Sequence, residues 1–404
     1  MFGAIGSLLG ETTKELSMSP SPRYHNTGRD SFLGEWAYQR LVQRHPNHFL
    51  VVLNRLFDWD SKSDEMIQMY QGHGRIGRPP YNPVLIYKML FLSYLYNVSE
   101  RAMEQLADEH LMVKWFLGLA VDEPAPDHST LTAFKRRVLR GDNWRLLQKV
   151  FDDMLRQCLE YGLQFGELQV LDSVHTEANV NNQKDRDRQD RGGSSRDPEA
   201  RVVNKGKRQM VQADGQRTTQ EMRYRGYKTH TAVNAATGLV TSLVAALGNT
   251  ADNEAFPALR AHDRALGLPV HAYGGDKAYD DTDIHERLAQ EGLDTAITLT
   301  RQRTAKKDAN KGRWLDLVAD PTYQFRVKQR YRVEQPYGIA KQGHGFERCR
   351  YLGLARYRLQ AFWTFTVVNA KRMIKLLTGV TFRPQAKGRK AEHLKPVLAA
   401  TSWA

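Results

Sequence analysis

The spacing of hydrophobic residues changes near Gly166, and this change limits what the chain can fold into. Before it, apolar residues recur three and four positions apart, as in Leu147, Val150 and Phe151, which is typical of amphipathic helices. After it, short apolar runs alternate with turn residues and helical stretches, which is typical of strands mixed with helices. We therefore predict an α/β fold, in which a mixed sheet flanked by helices follows an all-helical N-terminal domain.

Helices in the first part of the chain are predicted from this spacing and from residues that favour helix starts. Pro83 is suited to a first turn, and the hydroxyls of Ser99 and Ser129 are suited to cap free backbone N–H groups. One or two helices are predicted within 36–59. The other predicted helices are 83–96, 100–109, 111–118, 130–139 and 143–161.

Strands are predicted after Gly166, together with further helices. The predicted strands are 168–171, 227–234, 239–247, 271–275 and 295–299, of which the second and third form a hairpin. Helices are predicted at 252–266, 281–290 and 361–377, and partly over 321–341. Residues 179–224 are polar and charged with almost no apolar runs, so we expect a long mobile loop there.

The chain is strongly basic, with 59 Lys and Arg against 45 Asp and Glu and a net charge of +14. Such a surplus favours a polyanionic partner, either nucleic acid or an anionic membrane. The longest apolar stretch, 84–98, contains Lys88 and is shorter than the roughly 20 residues that a membrane span needs. We therefore expect no membrane attachment and favour nucleic acid. With only two cysteines, a disulfide scaffold or Cys-rich zinc site is excluded.

A glycine-rich motif at 72–77 has the G-x-G-x-x-G pattern of dinucleotide sites. That site needs a strand before the motif and a helix after it, so that the helix N-terminus meets the pyrophosphate. Here the preceding stretch looks helical and Arg-Pro-Pro follows. We interpret the motif as a turn and expect no nucleotide cofactor.

Three acidic residues are candidates for a catalytic metal site. Asp172 and Asp276 each follow an apolar, strand-like run, and Glu334 lies in a basic, helix-like segment. If they met at one sheet edge, their oxygens would suit Mg²⁺ or Mn²⁺, and two such ions could support phosphoryl transfer. Judged from the residues alone, each of these acids is more often a turn or helix-cap residue that acts separately from the other two.

Five segments carry a family resemblance. They are GRPPYNPVLIYKMLFLSYLYNVSERAMEQLADE, FLGLAVDEPAPDHSTLTAFKRR, YRGYKTHTAVNAATGLVTSLVAALGNTADNEAFPAL, GGDKAYDD and RYRVEQPYGIAK. In this order, over roughly 74–375, the chain resembles bacterial insertion-sequence transposases of the DDE class, in the IS-five-like group of the IS-four-like superfamily. The resemblance implies an RNase H-like catalytic core that binds two Mg²⁺ ions, for which Mn²⁺ can substitute, and that cuts and rejoins DNA.

The resemblance also assigns roles to residues. The family's catalytic and metal-binding acids fall on Asp172, Asp276 and Glu334. Its Tyr-x2-Arg-x3-Glu-x6-Lys signature places phosphate-contacting residues at Arg330 and Lys341, while Val327 stands at the tyrosine position.

Further DNA contacts are expected in three basic groups, each with a plain alternative. Lys228 and His230 lie on the predicted hairpin and either approach DNA near the active site or line a solvated face. Ser129, Thr130, Lys135, Arg136 and Arg137 lie on one helix, either a recognition helix or an ordinary basic one. Arg301, Arg303, Lys306 and Lys307 either clamp a DNA backbone or form a solvated loop.

The predicted organisation follows from these assignments. Residues 1–60 form an N-terminal arm and helices, 61–164 a helical DNA-binding and dimerisation domain, 165–380 the catalytic domain with a basic insertion at 300–320, and 381–404 a basic tail. We expect a cytoplasmic, nucleoid-associated homodimer that acts on double-stranded DNA, namely the terminal inverted repeats of a transposon and a target. The alternatives are a nuclease or recombinase without strand transfer and a domesticated, non-catalytic DNA-binding protein.

Overall fold

A computed structural model describes residues 24–25, 27–28, 32–70, 79–211, 217–305 and 310–382. The motif at 72–77 lies outside these residues, as do most of the predicted arm and tail. In the first half of the described chain, helices follow one another with short connections. They are α1 Phe32–Arg44, α2 Phe49–Leu56, α3 Ser61–Met66, α4 Pro83–Leu95, α5 Glu100–Glu109, α6 Leu111–Leu117, α7 His128–Val138 and α8 Arg145–Glu160.

The helix starts show which capping residues act. Pro83 opens α4 and Asn82 Oδ1 accepts from the Val84 backbone N–H at 2.9 Å. Ser99 Oγ caps α5, as predicted, by accepting from Ala102 N at 3.2 Å. The prediction for α7 is wrong by two residues: Asp127, not Ser129, is the cap, because its carboxylate reaches the N–H of Thr130 at 2.9 Å.

Six strands form one sheet in the described part of the chain. They are β1 Leu168–Glu177, β2 Arg201–Val211, β3 Arg217–Asn234, β4 Val240–Leu247, β5 Ala272–Gly275 and β6 Asp294–Ile297. The central order is β4-β3-β1-β5-β6, with β3 antiparallel to β1 and β4, and β5 parallel to β1 and β6. Three antiparallel strands followed by two parallel ones are the RNase H-like arrangement, so the expected fold class is confirmed.

The prediction of a long loop at 179–224 is wrong. This segment holds helix α9 Asn182–Asp190, strand β2 and the first half of β3, and β2 pairs only with β3 as a two-stranded ribbon. The polar sequence is misleading because ion pairs and hydrogen bonds hold the base of the ribbon: Arg225 binds Asp185, Ser195 and the Asp197 carbonyl. A ribbon of two strands needs no apolar core of its own when one strand continues into the main sheet.

The remaining helices surround the sheet. They are α10 Phe256–Ala265, α11 Thr282–Gln290, α12 Lys311–Ala319, α13 Pro321–Lys328, α14 Glu334–Gly338 and α15 Leu354–Thr378. The basic insertion is therefore helical from Lys311 onward, because Trp314 is buried and anchors α12.

Helix α15 lies at the centre of the larger hydrophobic core. Trp363, which is fully buried, has its ring centroid 5.8 Å from that of Tyr94 on α4. On the sheet side, the Asn369 side chain bonds both the N–H and the carbonyl of Val240 on β4. The N-terminal helices and the sheet thus share one core, so the predicted boundary at residue 165 is a change of secondary structure within a continuous hydrophobic core. In the residues described, no helix is long and apolar enough to cross a membrane.

Candidate carboxylate site

The parallel register of β1 and β5 brings two of the predicted acids together. Leu168 pairs with Ala272 and Val170 with Gly274, and the same offset, continued by two residues, sets Asp172 beside Asp276. Neighbouring strands lie about 4.8 Å apart. Asp276 immediately follows β5, where its Oδ1 accepts from the Ala278 N–H at 2.9 Å. Asp276 therefore caps the turn that follows β5, as the alternative interpretation of this residue predicts, and it is also a neighbour of Asp172.

The surroundings of Asp172 disfavour its charge. Its side chain is 24% exposed. Burial, together with the negative charges of Asp276 and Asp252, raises its pKa to about 6, although a hydrogen bond from the Ser173 N–H and the charge of Arg330 act in the opposite direction. A carboxylate that is partly desolvated beside other carboxylates gains from a bound cation.

The third acid lies on a segment that faces β1. Glu334 is the exposed first residue of α14. Before it in the chain, Arg330 Nη1 lies 4.0 Å from Asp172 Oδ2. After it, the Tyr337 hydroxyl is hydrogen-bonded to Thr231 Oγ1 at 2.7 Å, and Thr231 is the β3 partner of Asp172. Contacts before and after Glu334 in the chain therefore hold its segment against β1 and β3.

Contacts within the described chain do not join all three acids. Within the described chain, no group of three His, Cys, Asp or Glu side chains is placed to hold a metal ion, and Glu334 has no hydrogen bond or ion pair with Asp172 or Asp276. The donor set is nevertheless all carboxylate oxygen, which suits hard divalent cations rather than zinc. The raised pKa of Asp172 marks a negative site that a divalent cation would relieve. The residues present therefore fit such an ion.

A fourth acid, Asp252, was not predicted as part of the site. It follows β4, and its Oδ1 lies 3.1 Å from Lys228 Nζ and 3.2 Å from His230 Nδ1. Burial works to raise the pKa of Asp252, but the close approach of His230 and Ser173 and the positive charge of Lys228 outweigh it and hold the pKa well below its usual value. The sequence predicted only a helix that begins at Asp252. Its contacts with Lys228 and His230 on β3 join residues more than 20 positions apart, so no local sequence pattern reveals them.

The predicted DNA contacts of Lys228 and His230 are contradicted. Both side chains are buried, with His230 fully inaccessible, and both point to Asp252. The Lys228 ammonium also donates to the Thr250 carbonyl at 2.8 Å. Pairing of β3 with β1 and β4 places both side chains inside the protein, so neither is accessible to DNA.

Only some of the residues of helix α7 that were predicted to contact DNA are exposed. Lys135 is ion-paired with Glu100, and the Arg137 guanidinium lies 4.3 Å from the centroid of the Tyr70 ring. Ser129 and Arg136 are exposed, whereas Thr130 is half-buried at the first turn. The accessible part of this helix is therefore narrower than its sequence suggests.

The other basic residues that were predicted to contact DNA differ in how exposed they are. Arg301 is exposed, but Arg303 is committed to an ion pair with buried Asp280 at 3.1 Å. Lys306 and Lys307 lie outside the described residues. Lys341 lines a cavity of about 450 Å³ with His175, Tyr224 and Arg348, at the C-terminal end of β1, the strand that also carries Asp172.

Comparisons with known proteins agree with this geometry. A transposase domain model (DUF772) matches residues 39–137, and a transposase DDE domain model matches residues 171–370, which include all three predicted acids. Together they span about three quarters of the chain. Among solved structures, a piggyBac transposase synaptic complex with hairpin DNA matches over 82% of this chain and 75% of that one, at 10% identity and a TM-score of 0.39.

Proposed function

Because this chain belongs to the DDE transposases of insertion sequences and is a DNA transposase, we propose that its carboxylate cluster cuts transposon ends and joins them to target DNA. The cluster consists of Asp172, Asp276 and Glu334. The observation that carries the proposal is the register of β1 and β5, which sets Asp172 beside Asp276 inside the region matched by the DDE domain.

The three carboxylates would hold divalent cations, which we take to be two Mg²⁺ ions with Mn²⁺ as a substitute. When bound, such a pair lowers the pKa of an attacking hydroxyl and stabilises the leaving oxygen. Glu334 is exposed on a segment tied to β1 through Arg330 and to β3 through Tyr337. The Glu334 carboxylate would supply the third ligand.

The chain's own residues then bind and orient the DNA. The Arg330 side chain is 43% exposed beside Asp172, so its guanidinium can contact the scissile phosphate as well as that carboxylate. In the first step, a water oxygen attacks phosphorus and the bond to the 3′ oxygen breaks, which leaves a 3′-OH. In the second, that 3′-OH attacks a target phosphodiester and displaces a target 3′ oxygen. Each step exchanges one P–O bond for another, so no covalent protein–DNA intermediate is needed.

The partner is DNA, and we propose terminal inverted repeats and a target duplex as the two substrates. Both transposon ends must be held together, which calls for a homodimer. Residues before 165 would recognise the repeats, with exposed Ser129 and Arg136 of α7 as the contacts. Arg301 would contact the backbone.

A nicking assay tests this proposal. The substrate is a DNA fragment carrying an inverted repeat from the sequence that flanks the gene. We expect Mg²⁺-dependent nicking by the wild type, binding without nicking by Asp276→Ala, and normal nicking by Asp283→Ala, whose carboxylate is an exposed acid on α11. Joined products separate a transposase from a nuclease that lacks strand transfer. Nicking by Asp276→Ala at the wild-type rate would refute the site assignment, and binding without cutting by the wild type would favour a non-catalytic protein.

A further inference from the structure

The ribbon at 201–225, formed by β2 and the first half of β3, projects beyond the main sheet. Glu177 at the end of β1 pairs with Gly226, so the β3 residues before Gly226 continue past the C-terminal end of β1. Strand β5 is parallel to β1, and Asp276 directly follows its C-terminal end. The ribbon therefore extends in the direction in which β1 and β5 end, on the side of the sheet where Asp276 lies.

This ribbon is strongly basic. Residues 201–225 contain seven Lys and Arg but only two Asp and Glu. A surplus of positive charge on one projecting element attracts a polyanion. A two-stranded ribbon is also one of the two kinds of element that fit the major groove of B-DNA, which is about 12 Å wide. Both its charge and its shape therefore suit duplex DNA.

A cavity of about 550 Å³ lies at the base of the ribbon, between the ribbon and α9. Three arginines that line it are exposed, namely Arg186, Arg201 and Arg223. Arg225 also lines it, but this arginine is ion-paired with Asp185. Among the described residues that line the cavity, none is acidic. A concave surface of this composition fits the phosphates of a DNA backbone.

Two of these arginines are available to a ligand. Arg201 Nη1 donates to the Pro198 carbonyl at 2.6 Å, which is a neutral acceptor, and Arg186 is exposed on α9. In the part of the chain that the structure describes, neither guanidinium forms an ion pair with a carboxylate, in contrast to Arg225. An exposed guanidinium can bind a phosphate through two parallel hydrogen bonds.

We propose that the ribbon and the arginine-lined cavity at its base form a second contact surface for duplex DNA, which holds the stretch next to the cleaved end. Thr231 on β3 pairs with Asp172, and Arg223 precedes Thr231 by eight residues on the same strand. At about 3.3 Å per residue this separation is roughly 26 Å, which is the length of about eight base pairs. The inference rests on the proposed function, because it takes the DNA cut at the carboxylates as the ligand.

Binding of a transposon-end duplex, followed by fluorescence anisotropy, tests the proposal without requiring activity. We expect Arg186→Gln/Arg201→Gln to bind about 10-fold more weakly at moderate salt, with a salt dependence lower by about two phosphate contacts. The nicking rate at saturating protein should match the wild type, since the three acids are unchanged. Arg264→Gln/Arg287→Gln removes two exposed arginines on α10 and α11 and is the matched control, which should bind as the wild type does.

Disulfide cross-linking tests where the ribbon lies on the DNA. Gln209 is exposed on β2 opposite Thr219, and Cys158 and Cys349 are buried, so Gln209→Cys supplies an accessible thiol. With thiol-tethered duplexes, we expect cross-links about 12 base pairs from the cut, because Thr219 lies roughly 40 Å along β3 from Thr231. Gln290→Cys, at the exposed end of α11, should give none there.

These outcomes separate the two proposals. Equal losses of affinity in the two double variants would overturn the inference about the ribbon, as would a wild-type affinity in Arg186→Gln/Arg201→Gln. A disulfide between two Gln209→Cys chains in place of a cross-link to DNA would also overturn it, because the ribbon would then contact a second copy of the chain. If the wild type neither binds nor nicks the transposon end, the proposed function itself fails.

Discussion

Arg330 Nη1 lies 4.0 Å from Asp172 Oδ2, and this pair connects the segment that carries Glu334 to the strand that carries the first acid. Both side chains remain partly exposed, so the pair borders solvent where DNA would enter. Under the proposed function, Arg330 contacts this carboxylate at rest and a phosphate when DNA is bound.

Replacing Arg330 with Ala should lower the nicking rate roughly 10- to 100-fold, because a hydrogen bond to a charged group contributes about 1.5–3 kcal/mol. Thermal stability should change little, since the pair is largely solvated. Arg330→Lys should recover part of the rate, because it keeps the charge but not the planar fork. Arg326→Ala is the control, because Arg326 lies on the preceding helix α13 and its ion pair is with Asp294 on β6. An unchanged rate in Arg330→Ala would contradict this role.

Asp172→Asn should stabilise the metal-free protein at neutral pH. The pKa of Asp172 is raised from 3.8 to about 6, so the folded state binds this proton more tightly than the unfolded state. The free energy of unfolding therefore falls as the pH rises from about 4 through 6. We expect the variant to exceed the wild type by roughly 2–3 kcal/mol at pH 7.5, with no difference near pH 4. Urea unfolding at both pH values measures this, and an equal difference at both would contradict it.

Tyr337→Phe should loosen the segment that carries Glu334. It removes the hydroxyl bonded to Thr231 at 2.7 Å and leaves a buried hydroxyl without that partner. We expect about 1 kcal/mol of lost stability together with slower nicking. Tyr323→Phe removes a comparable buried bond, to the Ile297 carbonyl at 2.8 Å, and should lose stability without the loss of rate. Equal rates in the two variants would show that Tyr337 is only structural.

Trp363→Ala should destabilise the whole chain and not one half of it. Trp363 is fully buried on α15, between the N-terminal helices and the sheet. We expect a loss of about 3–5 kcal/mol and a single unfolding transition seen by both helix and tertiary-structure signals. Two separate transitions in the wild type would show instead that the predicted domains fold independently.

Arg136→Ala should weaken binding of the transposon end and reduce its salt dependence by about one phosphate contact. Arg136 is exposed on α7, whereas neighbouring Lys135 is held by Glu100. Arg145→Ala, at an equally exposed arginine on α8, should leave binding and its salt slope unchanged. Equal effects of Arg136→Ala and Arg145→Ala would show that basic charge in general, and not α7, attracts the DNA.

The sequence predicted correctly those helices and strands that depend on contacts between residues close together in the chain. The period of apolar residues, the cap at Ser99 and the proline that opens α4 determine helices through contacts within a few residues. The hairpin of β3 and β4 was predictable for the same reason. The ribbon at 201–225 was not, because its stability comes from pairing and from Arg225 binding Asp185, neither of which leaves an apolar pattern.

The sequence by itself determined the α/β fold class, and resemblance to a family selected Asp172, Asp276 and Glu334. The inward orientation of Lys228 and His230 and their contacts with Asp252 became visible only in the folded chain. The physical reason is that a carboxylate's role depends on which charges and hydrogen bonds surround it. Those neighbours are set by strand register, which joins residues far apart in the chain.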